Sequence, residues 1–289
     1  MNPEPSLLLR SAPKRADLAP RQSGLDQVFG RYLLYHEIPC SPPDRCYHAF
    51  AMGIEGYEKP LFLRTFPAAL LTAELIESMK RQVVISVPGV EEIYDLGRHE
   101  EQGYLCSDLL NGASLAQLGE ALPARGQRLS FGLALAIYRE ARAHLAALHE
   151  RGLAHGQLRP TLIRLSPGFR AAVFLCRGLC LHETPHDSDT RDEDIFGLAT
   201  HVFGLAAGEL GQRVTGLLAD RDPAGFAVLC DLIVAAEPRL EEVAVEILWP
   251  ESGQAAPAAA DRVLATCVTP DEIQALWELV AECAAGGGA

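Results

Sequence analysis

Apolar positions alternate with polar ones through most of the first 110 residues, then shift to helical spacing. Tyr32 to Ile38 and Cys46 to Met52 read as short strands around a Pro-rich turn, Pro39-Cys40-Ser41-Pro42-Pro43, and residues 60–66 as a third. Leu71, Leu75, Met79 and Val83 fall four apart, which predicts an amphipathic helix over residues 68–83. Val90 to Leu96 and Tyr104 to Leu110 read as two further strands, with a polar turn over residues 98–103. Phe131 to Arg151 carries Leu133, Ile137, Ala141, Leu145 and Leu148, a long helix ending near Gly152. Two short strands follow, Leu162 to Leu165 and Ala172 to Leu175, then a polar loop to Asp192 and an apolar helix from Ile195 to Ala207. Thr269-Pro270-Asp271-Glu272 is a helix start with a Thr cap, Pro at the first position and Glu at the third. Beyond it Ile273, Leu276, Trp277 and Val280 form a stripe that fits packing on the rest of the chain or a docking helix, the first being the usual fate of such a stripe.

The 289 residues suffice for one two-lobed domain or two small ones, and 48% of them are apolar. The net charge of -13 argues against a nucleic-acid binder and against an anionic membrane surface as partner. No apolar run reaches the length of a membrane span, and the eight cysteines form no C-x-x-C pair, so they read as reduced thiols in a cytoplasm. Residues 1–28, rich in Pro and charge, read as a flexible leader.

The order strand, strand, strand, helix, strand, strand and then a helical half resembles a protein kinase, and local sequence supports it over residues 29–250. Gly30-Arg31-Tyr32 opens the domain as in bacterial Ser/Thr kinases of the eukaryotic type, and Gly56-Tyr57-Glu58-Lys59 precedes the third strand at a familiar spacing. The run from Pro88-Gly89-Val90 to Tyr94-Asp95-Leu96-Gly97 resembles H-P-N-I-V-x-V-Y-D-L-G, and Asn111-Gly112-Ala113-Ser114-Leu115 resembles the D-G-x-x-L after the hinge. His155-Gly156-Gln157-Leu158-Arg159-Pro160 is similar to the catalytic loop, and Asp194-Ile195-Phe196-Gly197-Leu198 to the start of the helix anchoring the second lobe. The resemblance implies an α+β, protein-kinase-like two-lobed fold: a five-stranded antiparallel N-lobe sheet with one helix (29–110), a mainly helical C-lobe (111–250), and a helical extension with a frayed tail (251–289).

It also points at missing chemistry. The Gly-rich loop falls near Pro39, Ser41 and Asp44; prolines lack an N–H for phosphates, and Asp44 would repel them. The third-strand lysine becomes Arg64, and its helix partner falls on Ser78, with Glu77 or Glu74 as substitutes in a shifted register. The catalytic aspartate becomes Gln157, the loop asparagine Leu162, and the magnesium-holding aspartate of D-F-G becomes Cys176, a soft ligand for a hard ion. Asp194 matches an aspartate that braces the catalytic loop. These losses imply a chain that is not an enzyme: a pseudokinase without a cofactor, scaffolding or regulating a protein partner in a bacterial signalling or assembly complex. One alternative is an atypical kinase-like transferase that binds nucleotide, drawing on the acidic run Asp187, Asp189, Asp192 and Glu193; nucleotide bound without metal, through Arg64 and a hinge near Ser107 to Leu109, is a further reading. Another is a zinc-stabilised module built on Cys176, Cys180, His182 and His186, which have the right ligand types in an unfamiliar spacing. An enzyme predicts a carboxylate near Arg64; a scaffold predicts a cleft filled by Leu162 and Arg177.

Overall fold

A computed structural model describes residue 8 and residues 27–38, 43–52, 58–110, 112–166, 172–177, 182–183, 188–206 and 266–286. Six strands form one antiparallel sheet: β1 (Gln27–Phe29), β2 (Tyr32–Ile38), β3 (Arg45–Met52), β4 (Glu58–Pro67), β5 (Ile93–His99) and β6 (Gln102–Asp108), in the order β1-β2-β3-β4-β6-β5. Alternation decides its faces. Tyr32, Leu34, Tyr47, Ala49, Leu61, Leu63 and Cys106 bury one side together. Phe66, Ile93 and Leu105 bury the other against Met79 of helix α1 (Ala73–Val83).

Three local expectations are corrected. The sheet has six strands rather than five, because Gln27–Phe29, which begins inside the segment read as leader, pairs antiparallel with β2. Leu8 of the same segment is buried in the C-lobe core. The helix over 68–83 is two pieces: Ala68–Leu70 is a 3₁₀ turn, and α1 begins only after Thr72, whose hydroxyl accepts the Leu75 N–H at 3.1 Å. Apolar residues four apart drift about 40° per turn on a 3.6-residue helix, so Met79 is buried while Val83, at the end of the run, is exposed. The turn expected over 98–103 shrinks to Glu100 and Glu101, where Glu100 takes φ 51, and both flanking strands shift toward it at their expected length.

The second lobe is built on helices α2 (Leu115–Ala124), α3 (Phe131–His149), α4 (Ser188–Phe203) and α5 (Pro270–Gly286). Its short strands are β7 (Ala113–Ser114), β8 (Leu153–Ala154), β9 (Ile163–Leu165), β10 (Val173–Leu175) and β11 (His182–Glu183), paired as β10-β9-β7 and β11-β8. Helix α3 runs through the centre: Leu133, Ile137, Leu145 and Leu148 pack with Leu198 and Phe203 of α4 and with Leu118 of α2. The stripe Ile273, Leu276, Trp277 and Val280 joins this core, so α5 is part of the lobe. Its start is a capping box as read from the sequence, with Thr269 Oγ1 accepting the Glu272 N–H at 3.2 Å and Glu272 accepting the Thr269 N–H at 2.7 Å. Helix α4 starts at Ser188, seven residues before the apolar run at Ile195, so Asp192 and Glu193 lie within the helix rather than on a loop before it.

Candidate functional site: the cleft between the lobes

The cleft is framed by β3 and β4 on one side and by the segments 155–165 and 173–177 on the other. Arg64 lies on β4, opposite Cys46 of β3. Its guanidinium closes on the Asp44 carboxylate just before β3, with Nε 2.8 Å from Oδ2 and a second bond from Nη2 to the same oxygen. Both side chains are mostly shielded, at 23% and 16% exposure, which makes this pair less screened than a surface ion pair. The helix residues expected to partner Arg64 are engaged elsewhere: Glu77 holds Lys80 at 2.7 Å, and Ser78 accepts from Gln82 at 3.1 Å. Asp44, read from the sequence as a charge that repels phosphates, is the carboxylate beside Arg64.

The loop resembling H-R-D is held from behind. Asp194, buried on α4, accepts the backbone N–H of His155 at 2.7 Å and of Gly156 at 2.8 Å, and its Oδ2 lies 3.1 Å from His149 Nε2. The His155 ring lies 2.8 Å from the Cys176 carbonyl. Gln157 therefore stands exposed on a loop whose backbone is fixed. Leu162 is half-buried, and its carbonyl accepts the Cys176 N–H at 2.7 Å, which ties the two degenerate positions together. Burial, with the Glu91 charge adding to it, pushes the Cys176 thiol well above the ordinary thiol range. Of the proposed zinc cluster, Cys180, His186 and the His182 side chain lie outside the described residues, and the described residues hold no group of metal-binding side chains.

Residues that sequence reasoning passed over complete the cleft. Glu91 is buried; desolvation raises its carboxyl pKa, opposed by hydrogen bonds from the Ser107 hydroxyl and from the Arg177 N–H at 2.8 Å. Arg164, between the apolar Ile163 and Leu165 of β9, reaches the Gly112 carbonyl at 2.9 Å. Its charge, after desolvation and the neighbouring His36, helps push the β3 residue His48 down to about 4. A charged residue inside a short apolar strand, and two acids in Glu91-Glu92-Ile93, were the visible signals for both sites.

The buried histidines carry a pH prediction. His48 and, by burial, His144 of α3 are both lowered to about 4, whereas the unfolded chain titrates near 6.5. Below 6.5 the unfolded state takes up protons that the folded state refuses. Stability is therefore full above pH 6.5 and lost as pH falls toward 4. Urea midpoints measured from pH 7.5 to 4 are expected to drop through that window, with a shallower drop in His144→Gln; a flat profile contradicts it.

The chain has the protein kinase fold. It superposes on crystal structures of the PknI kinase domain of Mycobacterium tuberculosis with TM-scores of 0.50 and 0.51, covering 87% and 88% of this chain and 98% and 97% of those domains, at 19% and 18% identity. Over 95 residues it is 37% identical to a probable inactive receptor kinase of Arabidopsis thaliana; that match takes in 32% of this chain and 9% of the plant protein. No family model matches the chain. The likeness to PknI corrects the expectation that the chain is no enzyme in so far as that rested on its build: its architecture is that of kinase domains. Asp44 puts a carboxylate beside Arg64, as expected of an enzyme, but it occupies the guanidinium itself, and the buried Arg177 is the mark expected of a scaffold. No helix among the described residues is long and apolar enough to cross a membrane.

Proposed function

We propose that the chain is a kinase-fold signalling protein of the bacterial cytoplasm that recognises a partner protein, with its interlobe cleft held in one shape by its own side chains. The observation that carries this is the Arg64–Asp44 pair: the cation aligned with the phosphate-binding lysine is committed to an internal carboxylate. An internal anion in that place competes with any external one, since the guanidinium fork is already engaged. The net charge of -13 favours a basic surface on the partner and disfavours nucleic acid or an anionic membrane. Cys46, Cys106, Cys176, Cys267 and Cys283 are reduced and outside any disulfide, which suits a reducing compartment.

A second reading is an atypical kinase-like transferase. The Asp194 brace favours it, because it holds the loop backbone at His155 and Gly156 as rigidly as positioning chemistry needs. Thermal shift with ATP, with and without magnesium or manganese, separates the two on wild type and Asp44→Ala. Partner recognition with a self-occupied cleft predicts no shift in wild type and an ATP shift in the variant, where Arg64 is released. A metal-dependent shift in wild type, together with phosphate transfer in the same preparation, overturns that reading in favour of the transferase.

A further inference from the structure

Arg177 is 2% exposed, at the position after Cys176 where the resemblance places an aromatic residue. Its guanidinium is engaged by backbone carbonyls. Nη1 donates to the Gln82 carbonyl at 3.0 Å and Nη2 to the Ile85 carbonyl at 2.7 Å. Gln82 is in the last turn of α1 and Ile85 just beyond it, at the negative end of the helix dipole, and the Gln82 carbonyl also accepts the Ile85 N–H at 3.0 Å. A planar fork reaches two such carbonyls from two separate nitrogens, whereas a lysine has to reach both from one. The backbone around Arg177 is stitched to the same region: its N–H reaches Glu91, Leu175 donates to the Gly89 carbonyl at 2.8 Å, and Glu91 donates to the Leu175 carbonyl at 3.0 Å. Glu91 in turn is held by Ser107 of β6.

We propose that Arg177 is an interlobe bolt, fastening the C-terminal end of α1 to the strand β10 segment of the C-lobe and so fixing where α1 sits over the cleft. Withdrawing it takes a charged donor from the Ile85 carbonyl, leaves the Gln82 carbonyl only its backbone donors, and obliges a buried cation to be solvated elsewhere, so α1 moves only when a competing contact replaces the fork. The bolt rests on these contacts alone and stands under either functional reading. It differs from the Arg64–Asp44 pair, which closes the other side of the cleft and involves neither α1 nor β10.

Hydrogen exchange on the full chain tests it. In Arg177→Met, which keeps length and apolar volume, amides over residues 82–92 are expected to exchange about tenfold faster or more, the size that follows from losing hydrogen bonds to a charged donor. Amides of β2, β3 and α3 keep their protection. Unchanged exchange at 82–92 overturns the proposal, as does a uniform rise across both lobes, which marks a general loss of stability. Arg177→Lys covers the case in which the methionine variant does not fold: it keeps the buried charge but not the two-carbonyl fork, and a smaller rise confined to 82–92 is expected. If Arg177→Lys exchanges like wild type, the fork is not the fastening and the proposal fails.

Discussion

Asp194→Ala is expected to lower stability by about 4 kcal/mol, because it strands buried donors that the carboxylate satisfies. The His155 and Gly156 N–H groups both end on this side chain, from a loop that turns away from the helices. Alanine offers no acceptor, and the site, 2% exposed at Asp194, leaves little room for water to replace it. A drop of roughly 7 °C in melting temperature follows from the usual entropy of unfolding for a chain of this size. Asp194→Asn is the informative companion: its amide oxygen can still accept one N–H, so about half the loss is expected. Denaturant midpoints give the magnitudes, and hydrogen exchange at His155 and Gly156 gives the location. An alanine variant as stable as wild type would show that the brace carries no energy.

Gly112→Ala is expected to cost about 3 kcal/mol or more, through backbone strain that no side-chain movement relieves. Gly112 has φ +129, and a Cβ there would lie 2.0 Å from the Leu165 carbonyl oxygen and 3.0 Å from Ser166 Cα. Those atoms are backbone at the end of β9, which pairs with β7 through Ala113 and Leu165. Yielding means breaking that pairing and pulling away the carbonyl that Arg164 holds. Gly126→Ala is the control, at φ +65 with nothing within 4 Å of the added Cβ; it should lose only the left-handed penalty, about 1–2 kcal/mol. Equal losses for the two variants would show that crowding at β9 is unimportant. A larger loss at Gly112, with faster exchange in β7 and β9, is the expected result.

The sequence by itself determined the architecture. Strand and helix each bury one face, so the period of the apolar positions names the element, and the order of elements, read with the resemblance, names the fold. Caps are local chemistry, which is why the Thr269 start of α5 was legible and stands as read. The stripe of α5 was legible as apolar, and the C-lobe core supplied its partner. At the cleft the residue types were legible but their partners were not. Arg64 was seen, yet its carboxylate came from Asp44, 20 residues upstream, and not from the helix glutamates, because pairing across a sheet depends on register and turn shape that no local pattern encodes. Glu91 and Arg177 are 86 residues apart, and Arg177 meets α1 from 95 and 92 residues away. Those contacts exist because two lobes meet, and burial turns each isolated charge into a group that must find a partner within reach. Only the tertiary structure decides which partner that is.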